Sequence, residues 1–186
     1  MFSTKLNLIV MSTRPRRWTK NLLVFIPFIL NGSLNDKDML IVSLFTFTVF
    51  TMLSGAIYII NDLQDLEVDS KDELKKHKPI ASGKLPTGVA APAAITLAFA
   101  AATSSFYINP PLSLFAISYI AYFCIYGFYL KNIPVINTLV VASGFPLRIV
   151  GGALAIGYLP HYGVYVVALA LGLIFVTWQK NMGVNR

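Results

Sequence analysis

Four side chains within residues 61–69 have the types and the spacing of a metal and phosphate site. This stretch, Asn-Asp-Leu-Gln-Asp-Leu-Glu-Val-Asp, follows the uncharged residues 39–60, which could cross a hydrocarbon layer of about 30 Å as a helix. In a continuing helix Asp62, Asp65 and Asp69 point the same way, and Asn61 lies one turn before Asp65. Aligned carboxylates repel each other unless a cation lies between them, and Mg²⁺ binds carboxylates together with substrate phosphates. The pattern predicts a Mg²⁺–diphosphate site at a membrane surface, and a solvated acidic helix end is the alternative.

A basic segment follows these carboxylates. Five lysines lie within fourteen residues, namely Lys71, Lys75, Lys76, Lys78 and Lys84. Ammonium groups beside a metal site can share the negative charge of a phosphate substrate. Loops on the cytoplasmic face of a membrane also favour lysine and arginine, so membrane topology alone is the alternative explanation.

The carboxylate and lysine motifs resemble those of a known family. Asn61-Asp62-x-x-Asp65-x-x-x-Asp69, followed by Lys75-x-x-Lys78-Pro-Ile-Ala-Ser-Gly, is similar to the first aspartate-rich motif and loop of the UbiA-type intramembrane prenyltransferases. Three flanking segments resemble the decaprenyl-phosphate phosphoribosyltransferase branch of that family most closely. They are residues 14–21 (Arg-Pro-Arg-Arg-Trp-Thr-Lys-Asn), 126–131 (Tyr-Gly-Phe-Tyr-Leu-Lys) and 144–152 (Gly-Phe-Pro-Leu-Arg-Ile-Val-Gly-Gly).

The resemblance implies a cofactor and a set of site residues. Mg²⁺ held by Asp62, Asp65 and Asp69 would neutralise a leaving diphosphate, with Asp62 and Asp65 as the catalytic carboxylates. The implied substrate-binding residues are Asn61, Lys20, Lys75, Lys78, Tyr126 and Lys131. For Lys20, Tyr126 and Lys131 a structural or topological role is the alternative, because basic and aromatic residues are common where spans meet the cytoplasmic interface.

The composition defines the broad class of the protein. Of the 186 residues, 56% are apolar and 12% are charged, and the mean hydropathy of +0.67 excludes a soluble globular domain of ordinary composition. The apolar segments are residues 22–35, 39–60, 85–130, which Asn-Pro-Pro at 109–111 divides, and 132–179, which a turn at 157–161 divides. We therefore predict an all-α integral membrane protein, with residues 1–186 as one domain of about six transmembrane helices. The UbiA-type bundle has about nine.

The basic residues predict the orientation. With six spans, the N-terminal segment, the loop of residues 61–85, Lys131 and residues 180–186 lie on one side and hold 13 of the 15 lysines and arginines. The positive-inside rule makes that side cytoplasmic, so we expect the N-terminus and the active site to face the cytoplasm of a bacterial plasma membrane. The net charge of +7 follows from this arrangement and does not indicate a nucleic-acid partner.

Arg148 is the one charged residue inside a predicted span. Such residues usually serve a function. However, Arg148 stands 17 residues after Lys131, roughly 25 Å along a straight helix, which favours a position near the far face where its side chain could snorkel. On this argument Arg148 is not assigned to the site.

The resemblance also implies a reaction. The expected protein transfers the phosphoribosyl group of phosphoribosyl diphosphate onto a polyprenyl phosphate, so its partners are a diphosphate substrate, a polyprenyl lipid and the bilayer. An aromatic prenyltransferase of the 4-hydroxybenzoate polyprenyltransferase type and a non-catalytic membrane subunit are the alternatives. The sequence resembles the N-terminal two-thirds of a family domain, as in a C-terminally truncated member. We therefore expect binding without turnover unless a second chain or an oligomer completes the bundle.

Overall fold

A computed structural model of the protein describes residues 2–32 and 34–182, and these residues form helices and turns without a strand. The elements are α1 (Phe2–Ser12), a 3₁₀ helix (Pro15–Phe25), α2 (Ile26–Leu30), α3 (Lys37–Gln64), α4 (Leu66–Lys71), α5 (Thr87–Ile108), α6 (Pro110–Ile125) with a π turn (Tyr126–Leu130), α7 (Pro134–Ile156) and α8 (Tyr162–Asn181). Five of them, α3, α5, α6 with its π turn, α7 and α8, are long and apolar enough to cross a membrane. The predicted all-α membrane architecture is confirmed.

Capping residues set the ends of the long helices. The Asp36 carboxylate accepts two backbone hydrogen bonds of 3.0 Å from the first turn of α3. The Asn109 side chain caps α6 in the same way, at 2.8 Å, just before two prolines at the helix start. Gly157 ends α7 with a φ of 70°, a left-handed conformation that favours glycine. The predicted interruptions at 109–111 and 157–161 are therefore confirmed.

The first predicted span, residues 22–35, is not a long α-helix, so the described residues contain five long apolar helices rather than six. It is instead covered by the end of the 3₁₀ helix and by α2, which has 5 residues. A 3₁₀ helix rises about 2.0 Å per residue and an α-helix 1.5 Å, so the combined segment Pro15–Leu30 reaches roughly 30 Å. It still connects the two ends of the bundle: Arg14, just before it, pairs with Asp62, and the carbonyl of Leu30 accepts a 3.4 Å hydrogen bond from Tyr158.

The central helix of the bundle is α3, which packs against α5, α6, α7 and the 3₁₀ helix. Its core side chains Phe50 and Leu53 are buried, and the Phe50 ring lies 5.5 Å from the ring of Tyr119 on α6. On α7, a Cβ at Gly152 would lie 2.1 Å from the carbonyl oxygen of Val24, so glycine permits the close approach of α7 to the 3₁₀ helix. This packing places α3, α6, α7 and the 3₁₀ helix around a common centre.

The outer faces of α5 and α8 expose large apolar side chains. Phe99 on α5 is 70% exposed, and Leu171 and Ile174 on α8 are 57% and 64% exposed. Contiguous apolar surfaces of this kind are unfavourable in water but suit a lipid environment. Each of these two helices therefore presents a lipid-facing surface.

Candidate functional site

Two buried carboxylates, which we call the carboxylate pair, converge on one cation at the end of α3. Asp62 on the last turn of α3 and Asp69 on α4 are 4% and 2% exposed. Both accept hydrogen bonds from Lys78 Nζ, at 2.9 and 2.6 Å. Arg14 Nη2 forms a 2.7 Å ion pair with Asp62, and Lys75 Nζ lies 3.9 Å from Asp69. Buried carboxylates need such partners, because an unpaired buried charge is costly.

Asp65 is turned away from the carboxylate pair. It lies between the end of α3 at Gln64 and the start of α4 at Leu66, with φ −92° and ψ 4°. This break ends the alignment that a continuous helix would impose, and the Asp65 carboxylate pairs with Lys131 instead. The three aspartates therefore do not share one helix face in this structure.

The carboxylate pair has donor chemistry that suits a divalent cation. The described residues contain no group of three or more His, Cys, Asp or Glu side chains placed to hold a metal. The oxygens of Asp62 and Asp69 nevertheless share the ammonium group of Lys78, which stands where a cation between the two carboxylates would lie. Mg²⁺ is commonly bound by one or two carboxylates together with substrate phosphates. The donor chemistry of the pair therefore fits a divalent cation in the place that the Lys78 ammonium group occupies.

Arg14 connects the carboxylate pair to a neighbouring cavity. Its φ of 56° is the one positive value among non-glycine residues in the described part of the chain. The guanidinium bonds to Asp62 and lies over the ring of Tyr58, with Cζ 4.9 Å from the ring centroid. These contacts hold a backbone conformation that L-residues rarely adopt, and such strain is concentrated at functional sites.

The cavity has a volume of about 160 Å³ and lies between the 3₁₀ helix, α3, α6 and α7. Four cationic side chains line it: Arg14, Arg17, Lys20 and Arg148. Uncharged polar side chains complete its polar wall, namely Ser54, Tyr58, Asn61, Tyr119, Tyr126 and Gln179. None of the described lining residues is acidic, so the cavity is suited to an anion.

Arg148 belongs to this cavity, contrary to the expectation that it would snorkel to the far face. It is 6% exposed, and its Nε and Nη1 donate hydrogen bonds to Asn21 Oδ1 at 2.8 Å and to the carbonyl oxygen of Gly144 at 2.5 Å. A helical side chain leans toward the N-terminus of its helix, so the guanidinium lies over Gly144, one turn nearer to Lys131. The distance along a straight helix axis takes no account of this lean or of the buried partner on the 3₁₀ helix.

Lys20 is one of the four cationic side chains that line the cavity. Its Nζ lies 4.5 Å from the ring centroid of Phe175, and Arg17 and Arg148 line the same cavity. These like charges repel each other, and an anion in the cavity would offset that repulsion.

Comparison with known proteins identifies the family. Residues 22–181 match the UbiA prenyltransferase family. The chain belongs to this family. The resemblance inferred from the aspartate and lysine motifs is thereby confirmed.

Three relatives of this UbiA-family chain are named decaprenyl-phosphate phosphoribosyltransferase. The protein from Mycobacterium tuberculosis (strain H37Rv) is 30% identical over 177 residues, which cover 93% of this chain and 58% of the relative. The protein from Mycolicibacterium smegmatis is 33% identical, with 93% and 55% covered, and that from Corynebacterium glutamicum is 34% identical, with 92% and 53% covered. The chain therefore spans about half the length of these relatives.

The site residues predicted from the sequence of this UbiA-family chain fall into three groups. They are the cavity wall with Lys20, Asn61 and Tyr126, the charge cluster beside it with Asp62, Asp69, Lys75 and Lys78, and a separate ion pair of Asp65 and Lys131. Sequence reasoning missed Arg14, Arg17 and Arg148. For Arg148 a signal exists, because a lone charge within a span marks function by default.

Gly127 permits the close approach of the π turn to α3 beside Asn61. A Cβ at Gly127 would lie 2.5 Å from Gln64 Oε1 and 2.8 Å from Asn61 Oδ1, so no larger residue fits there unless these side chains move. The neighbouring Tyr126 hydroxyl donates a 3.1 Å hydrogen bond to Asn137 Oδ1. The π turn thus sets two polar side chains, Asn61 and Tyr126, in the cavity wall.

Proposed function

We propose that this chain binds phosphoribosyl diphosphate and a polyprenyl phosphate as part of a membrane transferase, which moves the phosphoribosyl group from the first substrate to the second. The observation that carries the proposal is the cavity, with four cationic side chains and no acidic one among its described lining residues. Two anionic substrates can be held side by side only where positive charge offsets their repulsion. The shared name of the three relatives supports this choice of substrates.

The carboxylate pair is the proposed end for the diphosphate. Asp62 and Asp69 would hold Mg²⁺ there, and the bound metal supplies positive charge that neutralises the leaving group. Arg14 and Lys78 now pair with these carboxylates. Once a metal occupies the carboxylates, both cationic side chains can turn to phosphate oxygens.

In the bound state we propose a metal-ligand role for Asp65 and phosphate contacts for Lys131 and Lys75. Asp65 becomes a further metal ligand only if its carboxylate leaves Lys131. The same movement would release the Lys131 ammonium for a phosphate oxygen. Lys75, at 3.9 Å from Asp69, is within a small side-chain rotation of the same anion.

The proposed reaction replaces one carbon–oxygen bond with another. An oxygen of the lipid phosphate bonds to C1 of the ribose, the bond from C1 to the diphosphate oxygen breaks, and diphosphate leaves with the electron pair. The attacking phosphate is already an anion, so no general base is required. The task of the protein is to hold the two anions in contact and exclude water, and the apolar walls of the cavity, formed by Ile57, Phe123 and Phe145, serve that purpose.

Binding and transfer measurements on the purified chain in lipid nanodiscs test the proposal. We expect Mg²⁺-dependent binding of phosphoribosyl diphosphate by isothermal titration calorimetry. Transfer of a label from its ribose to polyprenyl phosphate is expected when a second chain or an oligomer completes the bundle. The control variant is Lys37→Gln, which removes a basic residue at the start of α3, at the opposite end of that helix from Asp62. Preferential binding of a polyprenyl diphosphate, with transfer to 4-hydroxybenzoate, would replace this proposal by aromatic prenyl transfer. Binding of neither diphosphate would indicate a non-catalytic subunit.

A further inference from the structure

An apolar groove lies next to the polar cavity, along the seam between α6 and α7. Its volume is about 340 Å³, and its lining residues are Phe115, Ser118, Tyr119, Tyr122, Ser143 and Leu147. Tyr119 lines both the groove and the cavity. On α7, Ser143 and Leu147 line the groove, whereas the residues that follow each of them, Gly144 and Arg148, line the cavity. The apolar groove and the cavity with its buried guanidinium therefore adjoin at Tyr119 and along one turn of α7.

The Arg148 guanidinium is fixed in place with one nitrogen left over. Its Nε and Nη1 bond to Asn21 and Gly144, and within the described residues Nη2 has no hydrogen-bond partner. Asn21 is 0% exposed and donates from Nδ2 to Ser54 Oγ at 3.1 Å and to Thr51 Oγ1 at 3.3 Å. The Asn21 side chain thus accepts from Arg148 with its oxygen and donates to Ser54 and Thr51 with its nitrogen. It fixes the Arg148 guanidinium in place, and Nη2 remains available as a donor to the cavity.

This Arg148 end, comprising Arg148, Asn21 and Lys20, is deeper in the bundle than the carboxylate pair. Ser54, which contacts Asn21, precedes Asp62 by eight residues on α3, about 12 Å along the helix axis. A water-soluble diphosphate meets the carboxylates first. An anion at the Arg148 end lies at a depth where an attached apolar chain favours binding, because the chain is removed from water.

We infer that the Arg148 end binds the phosphate headgroup of a lipid monophosphate, with the apolar chain of that lipid in the groove between α6 and α7. The inference rests on the proposed function and assigns the subsite of its acceptor. The free Nη2 of Arg148 and the ammonium of Lys20 meet the phosphate oxygens, while the groove, with Phe115 and Leu147, covers the chain. The donor diphosphate then occupies the carboxylate-pair end, so the two anions approach each other along the cavity wall that carries Asn61.

Farnesyl monophosphate is the probe that tests this subsite, with inorganic phosphate and farnesol as its two halves. We expect the full chain in nanodiscs to bind farnesyl monophosphate more tightly than either half. Arg148→Gln should weaken that binding by about ten- to a hundredfold, the range of a lost charged hydrogen bond, while Mg²⁺-dependent binding of inorganic diphosphate changes less than threefold. Arg148→Lys keeps the charge without the Nε bond to Asn21, so its affinity for farnesyl monophosphate should lie between those of the parent chain and Arg148→Gln.

Leu147→Trp tests the groove independently of the charge. The indole should fill part of the groove and weaken binding of farnesyl monophosphate at least about fivefold, with inorganic phosphate unaffected. The matched control is Leu171→Trp on the lipid-facing side of α8, which should bind the probe as the parent chain does. If Arg148→Gln is not monodisperse, Arg148→Lys and Leu147→Trp still decide the matter.

Several outcomes overturn the inference. Equal loss of farnesyl monophosphate and Mg²⁺–diphosphate binding in Arg148→Gln would place Arg148 in the donor site. Unchanged binding of farnesyl monophosphate in both Arg148→Gln and Leu147→Trp would remove the subsite altogether, and binding of inorganic phosphate as tight as the lipid would remove the groove. Failure of the proposed function looks different: the chain would bind farnesyl monophosphate in an Arg148-dependent way but not phosphoribosyl diphosphate.

Discussion

The carboxylate pair beside the cavity and the Arg148 end within it differ in where their partners come from along the chain. Asp69 pairs with Lys78, only nine residues later, and both belong to one polar loop. Arg148 pairs with Asn21, which is 127 residues away and on a different element. The carboxylate pair is therefore compensated largely by local, partly exposed lysines, with Arg14 as an additional, more distant partner of Asp62, whereas the Arg148 end exists only when α7 and the 3₁₀ helix pack together.

This difference has a physical consequence for each end. The lysines at the carboxylate pair have side chains about 30% exposed and can exchange partners when a metal or a phosphate arrives. Arg148 and Asn21 are almost fully buried, so separating them would leave a charged donor and an amide acceptor without partners in an apolar interior. The first end is suited to exchange of ions, and the second to holding one headgroup in a constant position.

Membrane topology is the prediction with an all-or-none outcome. Single cysteines at Ser70, in the polar loop, and at Leu159, in the turn after α7, should react with an impermeant thiol reagent from opposite sides of sealed vesicles. Both positions are exposed, and Cys124→Ala removes the native thiol. Labelling from the same side would mean that the carboxylate pair and the far end of α7 are not separated by the membrane.

Loss of a carboxylate should give the largest change in affinity and should affect one end only. Asp62→Asn is expected to weaken Mg²⁺-dependent diphosphate binding by on the order of a hundredfold, because it removes a charge that the metal needs, with farnesyl monophosphate binding kept. Glu73→Gln, a neutralisation at an 84% exposed side chain in the same loop, is the control.

Asp65→Asn sharpens this result. If Asp65 joins the metal site in the bound state, the variant should lose as much diphosphate affinity as Asp62→Asn. If Asp65 keeps its pairing with Lys131, the loss should stay below about tenfold, as for a single partly exposed ion pair. Titration calorimetry with and without Mg²⁺ separates the two results.

Asn21→Leu should act on the other end, with a smaller effect. It leaves Nε of Arg148 without its acceptor, so we expect about a tenfold loss of farnesyl monophosphate affinity and a lower melting temperature. The double variant Asn21→Leu with Arg148→Leu should recover part of the melting temperature, because no buried cation is left unpaired. Additive losses of stability would argue against coupling between the two residues.

The sequence by itself determined the class of the protein, its helix breaks and its family. Hydropathy over some twenty residues and the prolines at 110 and 111 act locally, so the apolar segments and their interruptions could be read directly, and the aspartate motif was sufficient to recognise the UbiA family. Only the tertiary structure decided that Asp65 turns toward Lys131, that the first predicted span is the end of a 3₁₀ helix followed by the short α2, and that Arg148 lies in the cavity. Each of these depends on partners far away in the chain. Spacing along one helix cannot indicate such partners, because a buried charge takes its position from the groups that compensate it after the helices pack.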